Sequence, residues 1–155
     1  RDTIRPGISI RNSEVGLSSL AVSAYCLRLL CTNGMITLSE IANGSYRHVS
    51  AKVLDWFPAM LEEIKSQQNK QGDQFKLALK AKVEDPLATM ESFNRQFMLN
   101  EAERAAVEWA WPQESGKTMF QIVNAYTKAA QDTALPAESS YRLQKVGGQI
   151  LAVVN

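Results

Sequence analysis

The hydrophobic and polar positions change their period near residue 50. Before it, residues 8–12 and 19–30 alternate between apolar and polar side chains, as strands with one buried face do. Asn33-Gly34 is a strong hairpin signal because both residues tolerate a positive φ. The pattern predicts a meander of three antiparallel strands in residues 1–40. A helix through residues 18–31 is the alternative, since the apolar positions there also fit a helical stripe.

From residue 50 onward the apolar positions recur at helical spacing. Asp85-Pro86 predicts a helix start, with Asp as N-cap and Pro in the first turn, followed by a buried stripe of Leu87, Met90, Phe93 and Phe97.

Further helices are predicted after residue 100. Asn100 and Glu103 have capping-box spacing and open a helix that we expect Pro112 to end. Residues 118–131 and about 138–153 predict two more helices. The last contains Gly147-Gly148, a pair that indicates close approach of another element because glycine is otherwise unfavourable inside a helix.

Together these patterns predict an α+β fold, with a small antiparallel N-terminal sheet packed against four to six helices. We expect one domain over residues 1–155, mainly β in residues 1–40 and mainly α in residues 50–155. The composition, 45% hydrophobic and 21% charged, is that of a globular domain rather than a disordered tail. The chain opens without an initiator Met or a signal-peptide hydrophobic region, so we interpret it as a fragment of a longer protein.

The net charge of +1 hides an uneven distribution. Residues 84–114 hold seven acids and two bases, a net charge of −5, whereas each of the other three segments (1–50, 51–83 and 115–155) carries +2. A nucleic-acid site would therefore be a local patch, and the acidic segment should face away from it. No apolar stretch approaches the ~20 residues that a membrane span requires. Two cysteines five residues apart, Cys26 and Cys31, favour reduced thiols and a cytoplasmic protein.

Few residues suggest catalysis, and none suggests a metal or another cofactor. Residues 115–118 (Ser-Gly-Lys-Thr) resemble the end of a phosphate-binding loop, but Trp111 occupies the position of its first glycine, so we interpret them as a turn with a Thr cap. His48 is the only histidine, and Cys31 is the thiol it could activate. Arg28 lies among apolar positions and needs a partner, for which Glu14 is the nearest candidate in a hairpin.

A set of motifs at residues 7–16, 28–35 and 47–48 resembles the phage/plasmid-like protein family known as domain of unknown function 932. Its members show an Asn-Ser-Glu-hydrophobic-Gly run, an arginine shortly before Cys-Thr-Asn-Gly-Met, and an Arg-His pair. The matching residues are Asn12, Ser13, Glu14, Gly16, Arg28, Cys31, Thr32, Asn33, Gly34, Met35, Arg47 and His48. The resemblance implies a prophage, phage or plasmid origin and a cytoplasmic protein, but it implies no reaction.

Three functional hypotheses follow. The favoured one is a mobile-element protein that handles single- or double-stranded DNA in recombination, replication or defence evasion. Its phosphate contacts would be Arg11, Arg47, Lys76, Lys80 and Lys82, although a solvated face explains the lysines equally well. The second is an enzyme with a polar cleft around Glu14, Arg28, Cys31 and His48. The third is an assembly module with an interface at Trp109 and Trp111, and oligomerisation is left open.

Overall fold

The computed structural model of the chain describes residues 4–11, 21–28, 33–36, 58, 59, 62, 66 and 72–154, with side chains from residue 58 onward within these ranges. Three strands pair antiparallel in the order β1-β2-β3: β1 (Ile4–Arg11), β2 (Ala21–Arg28) and β3 (Asn33–Ile36). Residues 21–28 are therefore extended rather than helical.

The predicted Asn33-Gly34 turn is wrong. Both residues belong to β3, where Asn33 pairs with Arg28 and Gly34 with Leu27. The chain between the two strands is residues 29–32, long enough to make the connection without them. The paired part of β3 therefore begins at Asn33, two residues earlier than the predicted start at Met35.

Five helices make up the rest of the described chain. They are α1 (residues 72–80), α2 (Pro86–Gln96), α3 (Glu101–Glu114), α4 (Met119–Ala129) and α5 (Ala137–Ala152). Residues 58, 59, 62 and 66 are also helical and exposed. None of the helices within the described residues is long and apolar enough to cross a bilayer.

The predicted helix starts are confirmed. The Ala88 N–H donates to the Asp85 carboxylate (3.0 Å), with Pro86 in the first turn of α2. At the start of α3, the Glu103 N–H donates to Asn100 Oδ1 (2.9 Å) and the Asn100 N–H donates to Glu103 Oε2 (3.0 Å). This reciprocal pair satisfies two backbone donors that a helix N-terminus would otherwise leave free.

Two helical details differ from the prediction. α3 continues through Pro112 to Glu114, although the proline removes the bond to the Glu108 carbonyl and its ring crowds that carbonyl. Both residues are exposed, so water can replace the missing donor. In α2, Met90 is buried and Phe93 and Phe97 pack against the core, but Leu87 is 62% exposed and lies outside the predicted stripe.

The core is built around α4, in which every residue from 122 to 127 is buried. Tyr126 and Ile122 from α4 and Leu143, Ile150 and Leu151 from α5 are among its largest fully buried side chains. A helix buried on most of its circumference needs partners on several sides. The other described helices contribute to the same cluster, with Phe75 of α1 making an edge-to-face contact with Phe120 at 6.2 Å.

The close approach predicted at the glycine pair is confirmed at Gly147, where α5 crosses α4. A Cβ on Gly147 would lie 2.6 Å from Thr127 Cγ2. Thr127 is itself held in place, because its hydroxyl lies 3.3 Å from the Val123 carbonyl oxygen and 3.2 Å from that of Asn124. The two helices can pack at this distance only because residue 147 has no side chain.

The prediction of an α+β fold is wrong. The compact region from residue 72 to 154 is all-α, with five helices and no sheet. Its helices cover one another, since α4 is enclosed by side chains from α1, α2, α3 and α5. Alternation at the start of the chain indicated extended segments, but it carried no information about which elements form the core.

Candidate functional site

Most of the residues that carry the family resemblance lie outside the described residues. They are Asn12, Ser13, Glu14, Gly16, Cys31, Thr32, Arg47 and His48. The polar cleft expected around Glu14, Arg28, Cys31 and His48 therefore stays a prediction.

For the strand residues Arg11, Arg28, Asn33, Gly34 and Met35, the structure gives the backbone position. Arg11 pairs with Ala21, and Arg28 pairs with Ile4, so the two arginines lie at opposite ends of the β1–β2 ladder. Seven residue positions at ~3.3 Å each separate these ends by roughly 23 Å. The two arginines therefore cannot serve the same compact site.

The three predicted lysines are all exposed and lie at or just after α1. Lys76 forms an ion pair with Asp73 (Nζ to Oδ1, 2.8 Å), and both side chains are about three-quarters exposed. Lys80 and Lys82 form no ion pair with any described residue. Lys76 is thus locally balanced by an acid, whereas Lys80 and Lys82 are available to an external anion.

A short backbone bridge brings a further lysine to this place. Lys82 and Thr118 are antiparallel bridge partners; the Val83 N–H donates to the Lys117 carbonyl and the Met119 N–H to the Ala81 carbonyl, both at 2.9 Å. Lys117 is exposed and, within the described chain, has no ion-pair partner. We call Lys80, Lys82 and Lys117 the lysine cluster. Each of them is one of the bridge partners Lys82 and Thr118 or lies within two residues of one.

Sequence reasoning did not include Lys117 in the cluster because 35 residues separate it from Lys82. Lys117 does lie in the Ser-Gly-Lys-Thr segment, residues 115–118, which the sequence analysis interpreted as a turn with a Thr cap. That interpretation is confirmed in outline: Thr118 is the N-cap residue of α4, and its N–H donates to Gln121 Oε1 at 3.0 Å.

Two acidic residues follow Lys82 in the sequence. Glu84 is exposed, and the Asp85 carboxylate caps α2.

A second cluster of interactions lies at the α2–α3 corner, residues 97–100. Arg142 of α5 donates from Nη1 to Glu103 Oε2 (2.9 Å), and from Nη2 to the carbonyl oxygens of Phe97 (2.6 Å) and Met98 (2.9 Å). The Glu103 side chain is 1% exposed. One guanidinium thus neutralises a buried carboxylate and satisfies carbonyls at the end of α2, which is a structural role.

The corner also contains the one non-glycine residue with positive φ in the described chain, Met98 at 49°. The Met98 N–H donates to the Arg95 carbonyl and the Leu99 N–H to the Asn94 carbonyl, the bonding pattern that ends many helices. Glycine is usual at this position because a side chain is strained there. The Arg142 bonds to the same backbone help to hold Met98 in place.

Inside the core, Tyr126 and Asn94 form a neutral polar pair. The Tyr126 hydroxyl donates to Asn94 Oδ1 at 2.7 Å, with the Met90 carbonyl oxygen 3.0 Å away. Burial raises the pKa of Tyr126 well above its usual value, so the phenol stays protonated. On the surface of α2, the Arg95 guanidinium beside Glu91 lowers the pKa of that carboxyl.

Two shallow cavities lie on the helical region. One, of about 390 Å³, is on α5 and is lined by Phe97, Glu138, Tyr141, Arg142, Lys145, Val146 and Gln149. The other, of about 560 Å³, lies along α3 and is lined by Leu99, Glu101, Arg104, Ala105 and Glu108. Neither lining contains a serine, threonine, cysteine or histidine. Among the described residues no group of three His, Cys, Asp or Glu side chains could hold a metal ion.

Comparison with known proteins adds no assignment: no family model, no curated protein and no solved structure matches this chain.

Proposed function

We propose that this chain is a nucleic-acid-binding protein of a mobile element, and that the lysine cluster contacts the phosphate backbone. The observation that carries the proposal is the Lys82–Thr118 bridge, which brings Lys117 to the end of α1. Two of the three lysines, Lys80 and Lys82, were expected as phosphate contacts from the sequence. The resemblance to the phage/plasmid-like family supports the biological setting.

Charge supports the same interpretation. Exposed lysines without acidic partners can neutralise phosphates, and this releases the counter-ions that are condensed on the nucleic acid. Lys76 is a weaker candidate than its neighbours because Asp73 already neutralises it. The acidic exposed side chains of α3, Glu101 and Glu108, belong to a different helix and are not expected to contact a phosphate chain.

The test is the binding of labelled single- and double-stranded oligonucleotides across a salt series. We expect the triple variant Lys80→Ala, Lys82→Ala and Lys117→Ala to lower the affinity at low salt by at least about tenfold. The salt dependence should become shallower by ~0.7 per lost contact for single strands or ~0.9 for duplex. Equal binding by this variant and the wild type would contradict the proposal.

A matched control removes the same charge elsewhere: Arg95→Ala, Lys128→Ala and Lys145→Ala. Arg95 is paired with Glu91 on α2, and Lys145 lies over the Tyr141 ring, so neither belongs to the cluster. We expect the control to keep most of the wild-type affinity. If both triple variants lose affinity equally, net charge rather than this cluster determines binding.

The assembly hypothesis receives partial support from one residue. Trp109 is 54% exposed, as that hypothesis requires, whereas Trp111 is partly buried and packs against the core. An interface at this helix would therefore be centred on Trp109 and not on both tryptophans.

A further inference from the structure

The outer face of α3 has the layout of one half of a helix–helix interface. Its buried side is formed by Glu103, Ala106, Val107 and Ala110. The opposite side exposes Ala102, Ala105, Trp109 and Pro112, which follow one another at intervals of three, four and three residues. This is the spacing of the seam between two packed helices.

The seam has small residues in its N-terminal half and a bulky residue, Trp109, in its C-terminal half. Ala102 and Ala105 present only methyl groups, so the axis of a second helix can approach closely there. Trp109 follows with 54% of its surface exposed. Tryptophan is frequent at the energetic centres of interfaces, because it offers much apolar area with few rotatable bonds.

Two carboxylates flank the seam. Glu101 and Glu108 are exposed and each precedes a seam residue, which places them at the edge where charged side chains select the partner of a packed helix. They are seven residues apart, about 10.5 Å along the helix axis. Neither is part of an ion pair with another described residue.

Arg104 lies between them and lines the α3 cavity, but it forms no ion pair with either carboxylate. Its Nε donates to the Leu99 carbonyl (3.0 Å) and its Nη1 lies 3.7 Å from Glu91. Among the described residues, Glu101 and Glu108 therefore have no cationic partner. A partner that places cations opposite these two carboxylates would complete the charge pattern.

From this geometry we infer that the outer face of α3 docks a basic amphipathic helix of a partner protein. The apolar side chains of that helix pack on Ala102, Ala105 and Trp109, and its Lys or Arg side chains pair with Glu101 and Glu108. A basic helix fits better than a second copy of α3, whose own glutamates would face these carboxylates. The inference is independent of the lysine cluster, which contains no α3 residue.

Two designed helical peptides test the inference. Both carry leucines at the seam positions; one has lysines at the flanking positions and the other has glutamates there. We expect the intact chain to bind the lysine peptide at least tenfold more tightly than the glutamate peptide in calorimetry at low salt. Equal affinity for the two peptides would overturn the inference.

Variants of the chain make the test specific to this face. We expect Trp109→Ala to weaken binding of the lysine peptide at least tenfold, and Glu101→Lys with Glu108→Lys to reverse the preference toward the glutamate peptide. Glu108→Lys alone, in the middle of α3, covers the case in which the double variant does not fold. Exposed Leu87 lies on α2, so Leu87→Ala serves as a control and should bind as the wild type does.

Self-association is the competing outcome. Sedimentation of the wild-type chain over a range of concentrations would reveal a dimer. A dimer that Trp109→Ala abolishes would show that a second copy covers this face, and it would overturn the assignment to a basic helix.

Discussion

The α2–α3 corner and the surface of α1 hold ion pairs of nearly the same length in very different surroundings. Arg142 and Glu103 approach to 2.9 Å with the carboxylate 1% exposed, whereas Lys76 and Asp73 approach to 2.8 Å with both side chains about 75% exposed. Water can replace either partner on α1, but it cannot reach Glu103. The distance between charges therefore says little about their energetic importance; what surrounds them decides it.

The largest loss of stability should come from removing the Arg142 side chain at the α2–α3 corner. Arg142→Met leaves a buried carboxylate without its cation and the Phe97 and Met98 carbonyls without a donor. We expect the free energy of unfolding to fall by about 3 kcal/mol, measured by urea denaturation followed by circular dichroism.

The matched double variant, Arg142→Met with Glu103→Gln, removes the uncompensated charge as well. It should recover part of the lost stability. If the double variant is no more stable than Arg142→Met, charge burial is not the cause of the loss.

A tight apolar contact sharpens the comparison because it is buried but uncharged. Gly147→Ala places a methyl group 2.6 Å from Thr127 Cγ2, and overpacking of this kind should lower the free energy of unfolding by about 2 kcal/mol. Thr127→Ser removes that methyl group. A double-mutant cycle should show that the alanine is tolerated much better beside serine; additive effects would mean that the strain lies elsewhere.

A buried neutral hydrogen bond should have a smaller effect. Tyr126→Phe leaves Asn94 Oδ1 without its donor, and we expect a loss of about 1 kcal/mol near neutral pH. The pKa of Tyr126 is higher in the folded chain than in the unfolded one, so its contribution is complete below the unfolded pKa of about 10 and decreases as the pH rises above it.

Equilibrium unfolding at a series of alkaline pH values measures that decrease. The wild type should lose stability more steeply than Tyr126→Phe above pH ~10. Parallel curves for the two proteins would contradict a raised pKa at this residue.

The smallest change in stability is expected for the exposed ion pair of Lys76 and Asp73. Lys76→Ala should change the free energy of unfolding by less than about 0.5 kcal/mol, and added salt should reduce even this difference. A loss as large as that of Arg142→Met would show that solvent exposure does not separate the two pairs, and the comparison would fail.

Local signals in the sequence predicted the helix starts and the close approach of α5 to α4, although the local Asn33-Gly34 signal placed the turn wrongly. The caps at Asp85 and at Asn100 with Glu103, and the close approach at Gly147, each depend on residues within one or two helical turns or on the unusual chemistry of glycine. Pro112 misled the prediction because its effect on α3 depends on whether water can reach the freed carbonyl.

Long-range features could not be predicted in the same way. Arg142 and Glu103 are 39 residues apart, and an arginine on an amphipathic helix gives no sign of its partner. The position of Lys117 beside Lys82 likewise depends on the packing of the helices between them. The prediction of the fold class was wrong for the same reason. Alternation of apolar and polar residues identifies an extended segment, but it does not show which elements enclose the core.

The bridge between Lys82 and Thr118 bears on which parts of this sequence can vary. Bridge partners of this type lie about 4.5 Å apart at their Cα atoms, so the chain returns almost to its starting point after making α2 and α3. A hairpin whose ends meet leaves the path of the remaining chain unchanged, so its sequence can vary where its side chains face solvent. In the α2–α3 hairpin that freedom is confined to the outer face, which displays the seam flanked by Glu101 and Glu108, because Met90, Val107 and Glu103 hold the inner face to the core and to α5.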